Sequence, residues 1–384
     1  MHQPATANPP VQEPSVIAAH ADVVGSLLRP PELLRARSEI AAGRMTPAAF
    51  KAIEDKAVDR AVRLQEEAGL EVVTDGEMRR LSFQSQMTEA VAGFGSWDLD
   101  AFVWGEWHGV DGAEDWRRER PHDIAVVGKL VRARHLSAEE FVYLRAYTRR
   151  MPKVTLPSPG LFVNFWSAEK SRDAYPTLDE FLADVVRILR EEVEELARLG
   201  ATYIQIDAPH YPLLLDPKTR AFYESRGWAF EEWLERGVEL DNAVMEPIPG
   251  VTFGFHLCRG NQKGRWLVEG GYEAIAEPIF RGIRAHRLLL EYDDARSGSF
   301  SPLTQLPDDR IAVLGLVSTK RPEIEDAEVL IRRIDEAARY VDKDRLALSP
   351  QCGFSTSIIG NELTIADQDA KLRLVADTAR RVWG

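Results

Sequence analysis

A histidine and a cysteine two residues apart, His256 and Cys258, end the apolar run VTFGFHLCRG (251–260). On an extended backbone such residues share one face. Imidazole beside thiolate at the end of a buried strand is half of a tetrahedral metal site. The chain's other cysteine, Cys352, also follows an apolar run, RLALSPQCGF (345–354), and between the two RLLLEYDD (287–294) leads three leucines into Glu291. His256, Cys258, Glu291 and Cys352 together make a full ligand set. Sulfur, nitrogen and carboxylate oxygen in one set point to Zn²⁺ as cofactor, since Mg²⁺ and Ca²⁺ take oxygen. With two thiolates such a centre is too electron-rich for hydrolysis. It suits binding a substrate thiol and removing its proton near neutral pH, with Glu291 the ligand that loosens as the thiol enters. Two buried small hydrophobes or one disulfide are the competing readings of two cysteines. The positions at strand ends, one with a histidine two residues away, favour ligation.

Composition narrows the class. The 384 residues are 45% hydrophobic and 28% charged, as in a globular protein, and the net charge of −13 argues against a nucleic-acid or anionic-membrane surface. No apolar run approaches the roughly 20 residues that span a bilayer, and the start lacks a charged-then-apolar leader pattern. The expectation is a cytoplasmic enzyme working on small molecules, with a homo-oligomer left open.

The elements that must position the ligands follow a rhythm. Residues 1–18, rich in Pro and Ala, read as a flexible tail, and 19–384 as one catalytic domain. ADVVGSLLRP (21–30), LEVVTDGEMRR (70–80), KVTLPSPG (153–160) and ATYIQIDAPHYP (201–212) are the first four strands. The run to His256 is the fifth, RLLLEYDD the sixth, RIAVLGLVSTK (310–320) the seventh and RLALSPQ the eighth. Between them lie amphipathic helices: one capped by Thr46 and stopped at Gly69, one opened by a Thr177–Glu180 capping box, one within 217–244, one over 323–340 and a last over 367–383. Residues 95–150, aromatic and glycine-rich, break the rhythm and read as an insertion between the second and third strands, a hairpin plus a short helix. Eight apolar segments alternating with helices predict an α/β fold, the (β/α)8 TIM barrel. Without a G-x-G-x-x-G after the first strand, a doubly wound sheet is second choice. In a barrel, chemistry sits at the C-terminal strand ends, where Ser26, Asp75, Glu77, Asp207, His256, Cys258, Glu291 and Cys352 fall.

The motifs VGSLLRP, TDGEMRR, YIQIDAP, FHLCRG, LEYDD and SPQCGF, in this order, resemble the catalytic barrel of the cobalamin-independent methionine synthases over roughly residues 18–384. The resemblance is to that half alone, without the duplicated N-terminal barrel. It implies the same four zinc ligands. It also implies that Gly25 and Ser26 grip the carboxylate of homocysteine, while Glu77 and Asp207 receive its ammonium group. Backbone N–H groups in a Gly-Ser turn suit an anion, and paired carboxylates suit a cation. The chain departs from the family twice. Ala208 replaces the glutamate of Ile-Asp-Glu-Pro, and Ser318-Thr319-Lys320 stands where folate-using members carry Asp-His. That histidine is associated with protonating the leaving nitrogen of a methylated folate.

The resulting expectation is methyl transfer to a thiol, homocysteine giving methionine, from a methylated folate or from a methyl-corrinoid carried by a partner protein. His210, Tyr292 and Asp293 are the acid candidates for the leaving group. Two alternatives compete. An epoxyalkane:coenzyme M transferase would use the same metal to open an epoxide, its sulfonated thiol held by arginines such as Arg29, Arg79, Arg259 or Arg296. A non-catalytic zinc-binding barrel would draw its ligands from a compact local knuckle, not from residues spread between 256 and 352.

Overall fold

Strand β1 (Val72–Val73) is followed by four short strands, β2 (Val91–Phe94), β3 (Gly105–Trp107), β4 (Trp116–Arg118) and β5 (Val126–Arg132). Six more come after them: β6 (Met151–Pro157), β7 (Tyr203–Asp207), β8 (Thr252–Leu257), β9 (Arg287–Glu291), β10 (Ile311–Val317) and β11 (Leu346–Pro350). The computed structural model describes residues 17–96, 104–110, 114–119 and 124–384. Seven of the strands form one parallel sheet in the order β1-β6-β7-β8-β9-β10-β11. The segment before the first helix supplies the remaining stave. Ala21 bridges Leu348 of β11 in parallel, and beyond β1 the Leu27 N–H donates to Gly76 O (3.0 Å) and Thr74 Oγ1 to Gly25 O (2.6 Å). The sheet therefore curls into the TIM-type α/β barrel that the eight apolar segments predict.

Helices cover the outside. Pro47–Glu67 opens where Thr46 accepts a bond from Ala49 N, and Leu178–Arg198 where Thr177 accepts one from Glu180 N. The two-way capping box is completed at Thr364 and Asp367, which open Ile365–Trp383. Along Leu178–Arg198 the residues Phe181, Val185, Ile188, Leu189, Val193 and Leu196 are fully buried against the sheet. The 217–244 stretch is two helices, Pro217–Glu224 and Phe230–Val244, with Gly227 at φ +121° between them. The helix expected over 323–340 is shorter, Ala327–Ala337, because Asp326 caps it.

Strands β2 and β5 pair antiparallel, β3 and β4 form a hairpin, and Ala138–Tyr147 is helical. The hairpin is stapled to the barrel mouth. His108 exchanges backbone bonds with Trp266, and Lys218 pairs with Glu106 at 2.5 Å. Residues 1–16 and parts of 95–150 lie outside the described residues, while Ile17 is buried and its carbonyl accepts a bond from Arg287 (3.3 Å). Among the described residues no helix is long and apolar enough to cross a membrane.

The barrel interior is not wholly apolar. Asp22 accepts from Lys153 (2.9 Å), Arg287 (3.3 Å) and the Tyr203 hydroxyl (2.7 Å), all of them buried. Gln205 carries this network upward, taking a bond from Lys153 (2.8 Å) and giving one to Asp207 (2.7 Å). A buried carboxylate with two cations and a hydroxyl is satisfied on both oxygens, and removing one partner would strand a charge at a cost of about 3–5 kcal/mol.

Candidate metal centre

Register sets the level of the site. Asp207 at the end of β7 lies opposite His256 of β8, and His256 lies opposite Leu289 of β9. Strand β11 approaches β10 across Gly315, where a Cβ would come within 2.7 Å of Gln351 Cα and 2.8 Å of Leu290 O. A side chain there would push away the strand end that delivers Cys352.

His256, Cys258 and Cys352 come together, one ligand atom from each lying within 4.8 Å of the others, all three residues buried. His256 Nδ1 is 3.2 Å from Leu289 O, which places the ring proton there and leaves Nε2 as the ligand atom. That Nε2 is buried without a hydrogen-bond partner. A hydrogen bond from the Cys352 thiol holds Cys258 well below the ordinary thiol range, against burial and with help from His256; the same bond and burial push Cys352 up. An orphaned imidazole nitrogen facing two thiol sulfurs fits a borderline-soft cation.

A cavity of about 410 Å³ opens onto this cluster. Ser26, Glu77 and Asp207 line it beside the three clustered residues. Glu77 has φ +54°, a strained value for a residue with a side chain. Its Oε1 accepts from Thr155 Oγ1 (2.8 Å), while its buried Oε2 has no partner. Gly25 makes room for it, since a Cβ at that position would stand 2.9 Å from Glu77 Oε1. Burial pushes Asp207 up to about 7, with His256 opposing and Glu77 adding to the shift. Ser26 turns its backbone carbonyl to Phe354 N (2.8 Å), which ties this turn to the loop after Cys352.

Glu291 is placed differently. Its Oε1 accepts from Lys320 (2.9 Å) and Arg296 (2.5 Å), its Oε2 from the Arg259 N–H (2.7 Å), and it is not part of the three-residue cluster. Burial alone would raise its pKa, but Lys320, Arg296 and Arg259 outweigh burial and hold it below the usual carboxylate range.

None of the three acid candidates lines the cavity. His210 is buried with neither ring nitrogen bonded, its ring tilted against that of Tyr211 at 4.1 Å, and burial pushes it down to about 3. Tyr292 packs between Tyr272 (5.4 Å) and Phe300 (4.7 Å). Asp293 is tied to Arg296 (3.0 Å), Lys320 (3.4 Å) and Ser318 (2.8 Å). The cavity has residues that strand-end reasoning does not reach: Trp104, Trp107 and His108 from the insertion, and Asn261, whose amide donates to Gly353 O (2.9 Å) behind Cys352. The signal for the first three was the aromatic, period-free run that resisted a helix or strand reading.

A TIM-type barrel with a His–Cys–Cys cluster at its strand ends, opening into a small-molecule cavity, defines the class: a barrel enzyme with a thiol-rich candidate metal centre. The family model for the catalytic domain of cobalamin-independent synthases matches residues 20–379, and the chain belongs to that family, a family of methionine synthase-type methyltransferases. It is 36% identical over 366 residues to the uncharacterized protein YxjH of Bacillus subtilis, covering 94% of each chain. It is 27% identical to the methionine synthase of Pyrococcus abyssi, over 86% of this chain and 85% of that one. The crystal structure of a putative vitamin-B12 independent methionine synthase from Listeria monocytogenes superposes with a TM-score of 0.72 at 25% identity, covering 95% of this chain and 98% of that one.

Proposed function

We propose that the protein transfers a methyl group to the thiol of homocysteine, forming methionine, with Zn²⁺ held by His256, Cys258 and Cys352. The observation that carries this reading is the pairing, in one cavity, of the sulfur cluster with two carboxylates, Asp207 and Glu77; Glu77 pairs with Arg80 through Oε1 (3.6 Å) and keeps a buried Oε2 without a hydrogen-bond partner. When bound, zinc would acidify a coordinated thiol so that the sulfur is nucleophilic near neutral pH. The chain's own residues do the rest. Glu77 and Asp207 receive the substrate ammonium, whose positive charge favours the ionised form of Asp207. The Gly25–Ser26 turn faces the substrate carboxylate with its hydroxyl and backbone. The hairpin with Trp104 and Trp107 covers the reacting groups from water, and Phe83 adds a further apolar wall.

The donor is a methylated folate. Flat aromatic walls in a cavity of about 410 Å³ match a pterin ring better than a corrinoid. The Ser318-Thr319-Lys320 segment is committed to Asp293, Gln351 and Glu291, and the cavity histidine outside the cluster is His108, whose Nδ1 lies 3.4 Å from Asp115; it is the acid candidate on the cavity wall. The sulfonated-thiol reading is disfavoured by its missing anchor. Arg29, Arg79, Arg259 and Arg296 all lie off the cavity wall and are bonded elsewhere. The lining arginines, Arg117 and Arg118, come from the hairpin, and Arg117 is 72% exposed.

Calorimetric titration of the zinc-loaded protein with homocysteine and with coenzyme M, in two buffers of different ionisation enthalpy, tests this. Homocysteine should bind with release of about one proton. Binding of coenzyme M alone would overturn it.

A further inference from the structure

The face that β6 and β7 turn toward Asp22 is polar along its whole length. Lys153 and Thr155 of β6, with Tyr203, Gln205 and Asp207 of β7, alternate with the apolar Val154, Leu156, Ile204 and Ile206. Gln205 stands between Lys153 and Asp207 and is fully buried. Its Oε1 accepts from Lys153 Nζ (2.8 Å), and its Nε2 donates to Asp207 Oδ1 (2.7 Å) and to Val24 O (2.9 Å). An ammonium group can only donate, whereas an ionised carboxylate and a carbonyl only accept. The amide therefore has one permitted orientation, oxygen toward Lys153 and nitrogen toward Asp207. Lys153 is itself fixed by Asp22 (2.9 Å) and by the Val23 carbonyl. Turning the amide over would set oxygen against oxygen at Asp207 and N–H against ammonium at Lys153, with no water to relieve either contact.

We infer that Gln205 is a positioning residue that holds the Asp207 carboxylate for the ammonium end of the substrate, its amide kept in one orientation by Lys153. Asp207 lines the cavity and Gln205 does not, so Gln205 acts through Asp207. Its N–H occupies one carboxylate oxygen and restrains rotation of the group, so that the incoming cation meets a carboxylate already set in place. The inference rests on the reading that Asp207 receives a substrate ammonium group. The stave that ends in Gly25–Ser26 has ties besides Gln205: Asp22 N donates to Leu348 O (2.9 Å), Leu27 N to Gly76 O (3.0 Å) and Thr74 Oγ1 to Gly25 O (2.6 Å). Loss of the amide is thereby confined to the ammonium end and spares the grip on the substrate carboxylate.

Calorimetry of the zinc-loaded protein with homocysteine and with γ-mercaptobutyrate, which is homocysteine without its amino group, tests this. The parent should bind homocysteine at least about tenfold more tightly than γ-mercaptobutyrate. Gln205→Met keeps the length of the side chain and removes its donor and acceptor. It should weaken homocysteine about tenfold, leave γ-mercaptobutyrate within about twofold and retain its zinc. The ratio of the two affinities decides, because a merely structural role would weaken both thiols alike or cost zinc and leave the ratio unmoved. A ratio in Gln205→Met within about twofold of the parent's overturns the inference. Gln205→Glu keeps the Lys153 contact but sets an oxygen against Asp207; it should collapse the same ratio, and it decides where Gln205→Met does not fold. Failure of the underlying reading looks different: a parent that binds the two thiols equally has no ammonium site at Asp207, and the inference falls with it.

Discussion

Two pairs of carboxylates flank the same cluster, and they have opposite fates. On one side Glu77 and Asp207 reach the cavity, one with an oxygen that bonds to nothing and the other with its pKa pushed up by burial to about 7. On the other side Glu291 and Asp293 are saturated by Lys320, Arg296 and Ser318, and Glu291 is held far down its titration range despite burial. Residue type does not distinguish the pairs, and neither does position at a strand end. What separates them is how fully the scaffold occupies their oxygens. Glu291 and Asp293 are bonded on both oxygens, whereas Glu77 has Arg80 (3.6 Å) and Thr155 on Oε1 and keeps Oε2 without a hydrogen-bond partner, and its strained φ sits on that side.

The cluster between the two flanks offers the largest break. Cys258→Ser or Cys352→Ser leaves a hydroxyl where the metal needs a thiolate, and should lower methyl transfer by more than about 10³-fold with loss of most of the zinc. Metal analysis and an activity assay on the same sample check it. A variant with full zinc and normal turnover would remove the cluster from the chemistry.

The open flank comes next. Glu77→Gln keeps shape and the Thr155 bond while deleting the charge. Homocysteine affinity should fall roughly 10- to 100-fold, about 1.4–3 kcal/mol, with zinc content unchanged. Calorimetry reads this directly, and an unchanged dissociation constant would move the ammonium site elsewhere.

The smallest effect sharpens the rule away from the site. Asp241 is buried, accepts the Tyr211 hydroxyl (2.6 Å), and has burial push it up to about 7 from 3.8. It has neither a cation nor a cavity. Because the folded state holds its proton more tightly than the unfolded state, stability is greatest when Asp241 is protonated and falls as pH rises from about 4 to about 7, then levels off. The slope from this one group approaches ~1.4 kcal/mol per pH unit. Asp241→Asn keeps the tyrosine bond and should flatten that slope, seen as a smaller shift of the urea midpoint between pH 5 and pH 7. An unaltered slope would mean that Asp241 ionises freely in the fold.

Much of this molecule is legible in its residues. The eight apolar segments are the eight staves, since continuous apolar runs mark strands buried on both faces. His256, Cys258 and Cys352 were legible because thiol and imidazole at strand ends have few other reasons to coincide. Three features were not. The Asp22–Lys153–Arg287 network was hidden because single polar residues in apolar strands look like noise until curvature turns them inward together. The cavity's aromatic wall lay in a run without period. The acid candidates His210, Tyr292 and Asp293 follow strand ends, as the ligands do, yet their side chains turn into packing or ion pairs.

Order and chemistry along the chain were enough to name the barrel, the strand ends and the three residues that cluster there, because those depend on local periodicity and on scarce residue types. Which carboxylates remain open was decided by folding. Glu291 ends β9 and Arg296 follows it in the same connection, but Lys320 comes from the loop after β10, and whether a charge is neutralised depends on which groups the closed barrel brings within about 3 Å.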